Sequence, residues 1–306
     1  MTRLERYTVD RYYKVFGSEN SAKSPLILLI HGAGGDSQHF NTVIPNLVSN
    51  GYRVLVLDVR FHGASQLLNG SLDSDTITFS FDDVLSDIEL TLEEVKRVHY
   101  PEEKYVHLFI GGLSMGGMVS LLYATDSCLN KRLAGNLGIV LEGIILIAAG
   151  IPHMHIPRIG WDIYSERKAT AEYLEWTRSA IIQSALTEYG QKETTRAMKL
   201  ISDHNLFECM VAIATLLPSP SSAQPNSYEL KTKKPMLLLI PDKDPYIRPE
   251  MELLHQINLE NGVNSELVTV YDSGHMAILD KGEEVGTLIL NFCNKVRANR
   301  LKTQDD

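Results

Sequence analysis

The chain has 306 residues, 44% of them hydrophobic, enough for one large core and a smaller appended unit. Lys and Arg number 29 against 38 Asp and Glu, giving a net charge of -9, a balance that works against phosphate-backbone binding and excludes nucleic acid as an expected partner. The three cysteines, Cys128, Cys209 and Cys293, lie far apart with no CxxC pair, so neither a disulfide framework nor a zinc site is expected.

In chain order, Arg6 to Phe16 has a period-2 character that suits an antiparallel edge hairpin. Leu26 to Ile30, Val54 to Leu57, Ile144 to Ala148 and Met236 to Ile240 are short apolar runs bounded by Gly, Pro or Asp, the pattern of strands buried on both faces of a parallel sheet. Val106 to Ile110 and Leu267 to Tyr271 are similar but mixed with polar positions. Helical patterns fall between them at Phe40 to Val48, Phe81 to Val98, Met115 to Ala124, Glu250 to Asn261 and Glu283 to Val296. This alternation predicts an α/β fold with a mostly parallel, doubly wound sheet.

The alternation stops between residues 152 and 234. That stretch carries amphipathic windows at Lys168 to Ala185, Glu193 to Ile201 and Leu206 to Leu217, then a polar PSPSSAQPNS linker. It reads as a helical cap that divides the core into 1–151 and 235–306. No apolar run approaches the roughly 20 residues needed to span a bilayer. The N-terminus has no continuous apolar stretch of the secretory kind. A cytoplasmic protein is expected.

The strongest chemical signal is Gly112-Leu113-Ser114-Met115-Gly116, set between an expected strand and an expected helix. A nucleophilic serine on a sharp strand-to-helix turn needs residues without a β-carbon on both sides. The helix start then offers the Met115 N–H to a developing oxyanion. A second donor is expected from His31-Gly32-Ala33-Gly34-Gly35, with Ala33 as donor and Gly34 as the alternative. His31, at the end of a buried strand, is expected to satisfy loop carbonyls rather than act as a base.

Taken together, HGAGG at 31–35, DVRFHGAS at 58–65, GLSMGG at 112–117, PDKDPYIRP at 241–249 and DSGH at 272–275 resemble the α/β-hydrolase superfamily, specifically its capped serine esterases and lipases. The motifs follow the order that family uses and cover nearly the whole chain outside the insertion. One departure is Phe61, where relatives commonly have Gly. The resemblance implies that Arg60 and His62 are structural. It also implies the triad order Ser, acid, His, which makes His275 the base. The acid is Asp244 or Asp242: the family's spacing to a proline, taken as Pro249, selects Asp244, yet the Gly that begins that spacing is absent. Asp272 reads as a turn former.

These roles describe cleavage of a carboxylic ester or lactone through an acyl-enzyme on Ser114, without metal or organic cofactor. HGAGG is not the dinucleotide GxGxxG, and no Walker motif is present. His153 and His155 stand at the start of the insertion, either lining the pocket or lying on the surface; Trp161 is a further pocket candidate. Carbon–carbon bond hydrolysis of diketones and thioester hydrolysis are competing enzyme readings. A small-molecule receptor with a weakly active triad is the alternative of another class.

Overall fold

The computed structural model describes residues 9–68, 77–152, 154, 161–216 and 232–304. Among the described residues seven strands form one sheet: β1 (Tyr13–Phe16), β2 (Leu26–Ile30), β3 (Arg53–Leu57), β4 (Val106–Leu113), β5 (Ile139–Ile147), β6 (Met236–Pro241) and β7 (Ser265–Val270). Their spatial order is β1-β3-β2-β4-β5-β6-β7. All neighbours run parallel except β1, which pairs antiparallel with β3 and sets Tyr13 opposite Leu57.

The apolar runs follow from burial on both faces. Along β2, Leu26, Leu28 and Ile30 join one core cluster while Ile27 and Leu29 join the other. The first cluster takes in α2 (Phe81–His99), α3 (Met115–Thr125) and, through Met251 and Leu254, the helix Arg248–Glu260. The second takes in α1 (Ile44–Ser49) and the C-terminal helix Gly282–Gln304. Because successive side chains of a strand point to opposite faces, a strand covered by helices on both sides has no polar positions to spare.

The chain leaves β2 for β3 on one side and reaches β4 on the other. Helices α1 and α3 therefore lie on opposite faces, and the strand order reverses between the C-terminal ends of β2 and β4. Open α/β sheets bind ligands at such a switch point.

Several boundaries differ from expectation for local reasons. Among the described residues the N-terminal segment gives the single edge strand β1 rather than a hairpin, while Val9 makes an isolated bridge to Leu67. The expected helix from Phe40 to Val48 splits into a 3-10 turn, Ser37–Phe40, and α1. Pro45 lies in the first turn of α1, where its missing N–H costs nothing. β5 begins at Ile139 because Ile139, Leu141 and Gly143 are buried while Val140 and Glu142 are half-buried, a face change that apolar-run reading overlooks. α4 (Ser127–Arg132) starts where the Asp126 carboxylate accepts from the Leu129 N–H at 2.8 Å.

Between β5 and β6 come α5 (Trp161–Ser165), α6 (Ala171–Gln183), α7 (Glu188–Met198) and α8 (Asp203–Leu216). Thr170 and Thr187 cap α6 and α7 by accepting from the N–H groups of Tyr173 at 3.2 Å and Gly190 at 3.0 Å. The Thr187 cap explains why α7 starts before the apolar window Glu193 to Ile201. After β6 the chain adds α9 (Arg248–Glu260), then β7, α10 (Ala277–Asp280) and α11 (Gly282–Gln304). No helix among the described residues is long and apolar enough to cross a membrane.

Candidate active site

Ser114 alone makes the turn from β4 into α3, with φ +54° and ψ -117°. A non-glycine residue in that sparsely populated region stores about 1–3 kcal/mol of strain, held by its surroundings. Those surroundings admit only glycine. A β-carbon on Gly112 would lie 2.3 Å from the Ile30 carbonyl oxygen, and one on Gly116 would lie 2.0 Å from the same atom. The Ser114 N–H donates to the Ile147 carbonyl at 2.8 Å, which fixes the turn to β5.

The loop after β2 packs against this turn. A β-carbon on Gly32 would come within 3.3 Å of the Ser114 β-carbon. The Gly35 N–H closes a tight turn on the Gly32 carbonyl at 3.0 Å, with Gly34 at φ +71°, a value that favours glycine. Ala33 lies within this turn, next in sequence to the Gly32 that packs on Ser114. Met115 is the first residue of α3, so its N–H has no intrahelical acceptor. The two segments expected to supply donors, the Gly32–Gly35 turn and the start of α3, thus meet at Ser114.

His31 is spoken for. Its Nε2 accepts from the Val59 N–H at 2.9 Å, which leaves the proton on Nδ1, 2.7 Å from the Gly32 carbonyl. Burial lowers its pKa, in keeping with a neutral ring that shapes the loop. Arg60 donates through Nε to Asp87 at 2.8 Å and pairs with Asp83 on α2 at 3.1 Å. Phe61 keeps φ +68° without a glycine, its ring buried in the core.

After β6 and β7 two loops lie side by side. His275 Nδ1 is 2.5 Å from Asp244 Oδ2. The other carboxylate oxygen accepts from the Tyr246 N–H at 3.2 Å. Asp244 is 5% exposed and His275 25%, so the acid is enclosed and the ring reaches outward. Burial alone would raise the Asp244 carboxyl; the His275 hydrogen bond and charge, with the Tyr246 and Ile247 N–H groups, outweigh it and hold the carboxyl below its ordinary value. A carboxylate on Nδ1 pins that proton and leaves Nε2 as the free basic nitrogen. Asp242 is engaged differently: it pairs with Lys243 at 2.8 Å and accepts from the Ser273 N–H at 3.1 Å. Asp272, at φ +52°, turns the chain out of β7.

A model of the alpha/beta hydrolase family matches residues 27–287. The chain belongs to the alpha/beta hydrolase family. Membership supports hydrolase activity, and the hydrolase's fold is shared by solved structures of low sequence identity. A carboxylesterase from Nitrososphaera gargenis is 16% identical with a TM-score of 0.68, covering 97% of this chain and 98% of that one. An enol-lactonase from Burkholderia xenovorans is also 16% identical, with a TM-score of 0.65 over 94% of this chain and 100% of that one. The protein phosphatase methylesterase 1 of Candida albicans is 25% identical over 139 residues, 44% of this hydrolase. That match spans 32% of the curated relative's length.

Of the remaining sequence candidates, His153 and His155 lie outside the described residues. Trp161 opens α5, half-buried against the larger apolar cluster. Three contacts between the insertion and the site loops had no signature in the sequence. Met198 covers Gly34, where a β-carbon would meet the Met198 methyl at 2.3 Å. Cys209 Sγ touches Met115 Sδ at 3.4 Å. Arg196 grips Asp36 with two hydrogen bonds of 2.6 and 2.8 Å. Each joins residues some 90 to 165 positions apart, beyond the reach of any local pattern.

Proposed function

We propose that this hydrolase cleaves a carboxylic ester or lactone of a small apolar substrate through an acyl-enzyme on Ser114. The observation that carries the reading is Ser114 in a strained turn at the start of α3, packed against the Gly32 loop; the His275–Asp244 hydrogen bond in the loops after β6 and β7 supports His275 as the base. Ser114 Oγ attacks the carbonyl carbon as His275 Nε2 takes its proton, and the Ala33 and Met115 N–H groups hold the oxyanion. The tetrahedral intermediate collapses, the C–O bond to the alcohol breaks, and His275 returns the proton to the leaving oxygen. Water then attacks the acyl-Ser114 carbonyl, giving a proton to His275, and the carboxylic acid leaves as Ser114 regains that proton. For a lactone the alcohol stays tethered to the acyl group until this second step.

The residues next to the two donors favour an apolar substrate. Met198, an apolar and polarisable side chain, lies on Gly34 in the expected oxyanion loop, while Cys209 meets Met115 through side-chain sulfurs buried in the apolar core. The insertion 152–234 acts as a cap over the C-terminal ends of the strands, and Trp161, His153 and His155 are its pocket candidates. The carboxylesterase and enol-lactonase among the structural relatives share only the fold, and their chemistry agrees with this choice.

Incubation with a fluorophosphonate probe and with short p-nitrophenyl esters tests the reading. Covalent labelling at Ser114 with ester turnover is expected, both lost in Ser114→Ala. An intact, folded protein that neither labels nor turns over would sink the proposal, and labelling that survives Ser114→Ala would sink the site.

A further inference from the structure

Asp280 ends α10, five residues beyond His275, and its carboxylate gathers donors from two separate parts of the chain. Oδ2 accepts from the Gly274 N–H at 2.9 Å, the residue before His275. Oδ1 accepts from the Thr187 N–H and the Thr187 hydroxyl, both at 2.9 Å. The Leu186 N–H bridges both oxygens at 3.0 and 3.1 Å. One carboxylate thus joins the base loop to the turn that starts α7. The joint is closely packed: a β-carbon on Gly274 would lie 2.1 Å from the Ser184 carbonyl oxygen, and one on Gly190 would lie 3.1 Å from Asp280 Oδ1.

The far end of α7 makes a second joint. Arg196 donates to both oxygens of Asp36 at 2.6 and 2.8 Å, and the Asp36 side chain is only 2% exposed. Asp36 directly follows Gly34-Gly35 and caps the 3-10 turn through the Gln38 N–H at 3.1 Å. Two residues further along α7, Met198 rests on Gly34. A bidentate guanidinium–carboxylate pair fixes orientation as well as distance. An 11-residue helix is about 16 Å long at 1.5 Å per residue, so α7 forms a short rigid span between the loops after β7 and β2.

We propose that Asp280 and Arg196 are positioning residues at opposite ends of α7, so that this one helix sets the base loop and the oxyanion loop together. The inference rests on the reading of Ser114, His275 and Ala33 given above. Its consequence is that α7 does not lift away as a free lid. Any movement that admits substrate past α7 also displaces one of the two loops, and closure of the helix assembles base and oxyanion donors in one step.

Hydrogen exchange read by mass spectrometry on the whole chain, with Asp280→Asn and Arg196→Gln, tests the coupling without using activity. Asp280→Asn is expected to speed exchange about tenfold in 184–188 and 272–276, and also in 31–36 at the other end. Arg196→Gln is expected to speed exchange in 31–36 and also in 184–188. Exchange that rises only at the mutated end overturns the coupling. With a short ester, and with active sites counted by fluorophosphonate titration so that a lost folded fraction does not lower the rate per site, both variants are expected to lose about 10- to 100-fold in kcat with KM within about twofold. An unchanged kcat with a lowered Tm overturns the positioning roles. Arg196→Lys keeps the charge and loses the fork; it is expected to show a smaller change in the same direction, and it serves if either other variant does not fold. Failure of the unmodified protein to label with fluorophosphonate defeats the reading of the site, whereas local exchange defeats the α7 span.

Discussion

His275 Nδ1 and Asp244 Oδ2 lie 2.5 Å apart although 31 residues separate them. Two parallel strands make that contact possible. β6 and β7 pair with Pro241 opposite Val270, so the loops that leave their C-terminal ends start level. Asp242 then fastens one loop to the other by accepting from the Ser273 N–H, and the Lys243 N–H donates to the Ser273 carbonyl at 3.1 Å. The neighbouring carboxylates therefore divide the work: one joins the loops and the other faces the imidazole.

Exchange of the two acids separates their roles. Asp244→Asn keeps the shape but removes the charge and the acceptor that selects the Nδ1 tautomer, and a fall in kcat of about 10⁴-fold is expected. Asp242→Asn is expected to cost less than about tenfold in kcat and a few degrees in Tm, since it weakens only the joint to Ser273. Steady-state kinetics with a p-nitrophenyl ester decides; the reverse order of losses would make Asp242 the acid.

Stability is expected to fall on mild acidification because of His39 and His62. Burial is the chief cause in both, lowering His39 to about 4 and His62 to about 3 from the ordinary 6.5. The unfolded chain takes up these protons near pH 6.5, whereas the folded chain does not until the lowered values are reached. Between those limits the unfolded state binds more protons, so the contribution is fully present above 6.5 and is lost as pH drops toward 4 and 3. Each site contributes about 1.4 kcal/mol per pH unit across its window, roughly 3 kcal/mol for His39. Urea midpoints taken from pH 7 to 4 are expected to decline, and His39→Leu to decline less steeply. A flat midpoint over that range contradicts the burial argument.

How far the sequence could be read depended on the range of each interaction. The elbow was legible because its geometry is local: Gly112, Ser114 and Gly116 lie within five residues, and the steric demand of the turn is written in them. The strands were legible where both faces are buried, as in β2, and lost where only one is, as in the first half of β5. The acid stayed ambiguous because Asp242 and Asp244 both follow β6, and only their partners, Lys243 and Ser273 against His275 and Tyr246, tell them apart. Asp280 and Arg196 were invisible, since nothing near them in sequence marks a carboxylate or guanidinium that joins its own loop or helix to partners 93 and 160 residues away.

The elbow glycines differ from glycines elsewhere in a way that substitution can measure. In Gly116→Ala the new methyl would sit 2.0 Å from the Ile30 carbonyl oxygen and 2.7 Å from that of His31, backbone atoms that cannot turn aside. A loss of about 3 kcal/mol or more is expected, at or above the usual range for overpacking. Gly135 has nothing within 4 Å of its β-carbon position and no positive φ, so Gly135→Ala is expected to be neutral or stabilising by about 0.5–1 kcal/mol. Urea denaturation of both variants checks the contrast, and equal losses would remove the close-approach argument for Gly116.

Gly34 and Met198 are expected to be coupled. Gly34→Ala meets two obstacles: a left-handed φ of +71° and the Met198 side chain, whose methyl and sulfur would lie 2.3 and 2.7 Å from the new carbon. The first costs about 1 kcal/mol whatever surrounds it. The second depends on Met198, a flexible side chain, and vanishes in Met198→Ala. The double variant Gly34→Ala/Met198→Ala is therefore expected to be more stable than the sum of the single losses allows, by about 1–2 kcal/mol. Fluorophosphonate labelling rates are expected to follow the same pattern, because the displaced atoms belong to the loop that carries Ala33. Additive losses in stability would mean that Met198 moves aside freely and does not hold Gly34. Additive losses in labelling alone would mean that the loop keeps its donor in place even when the methionine shifts.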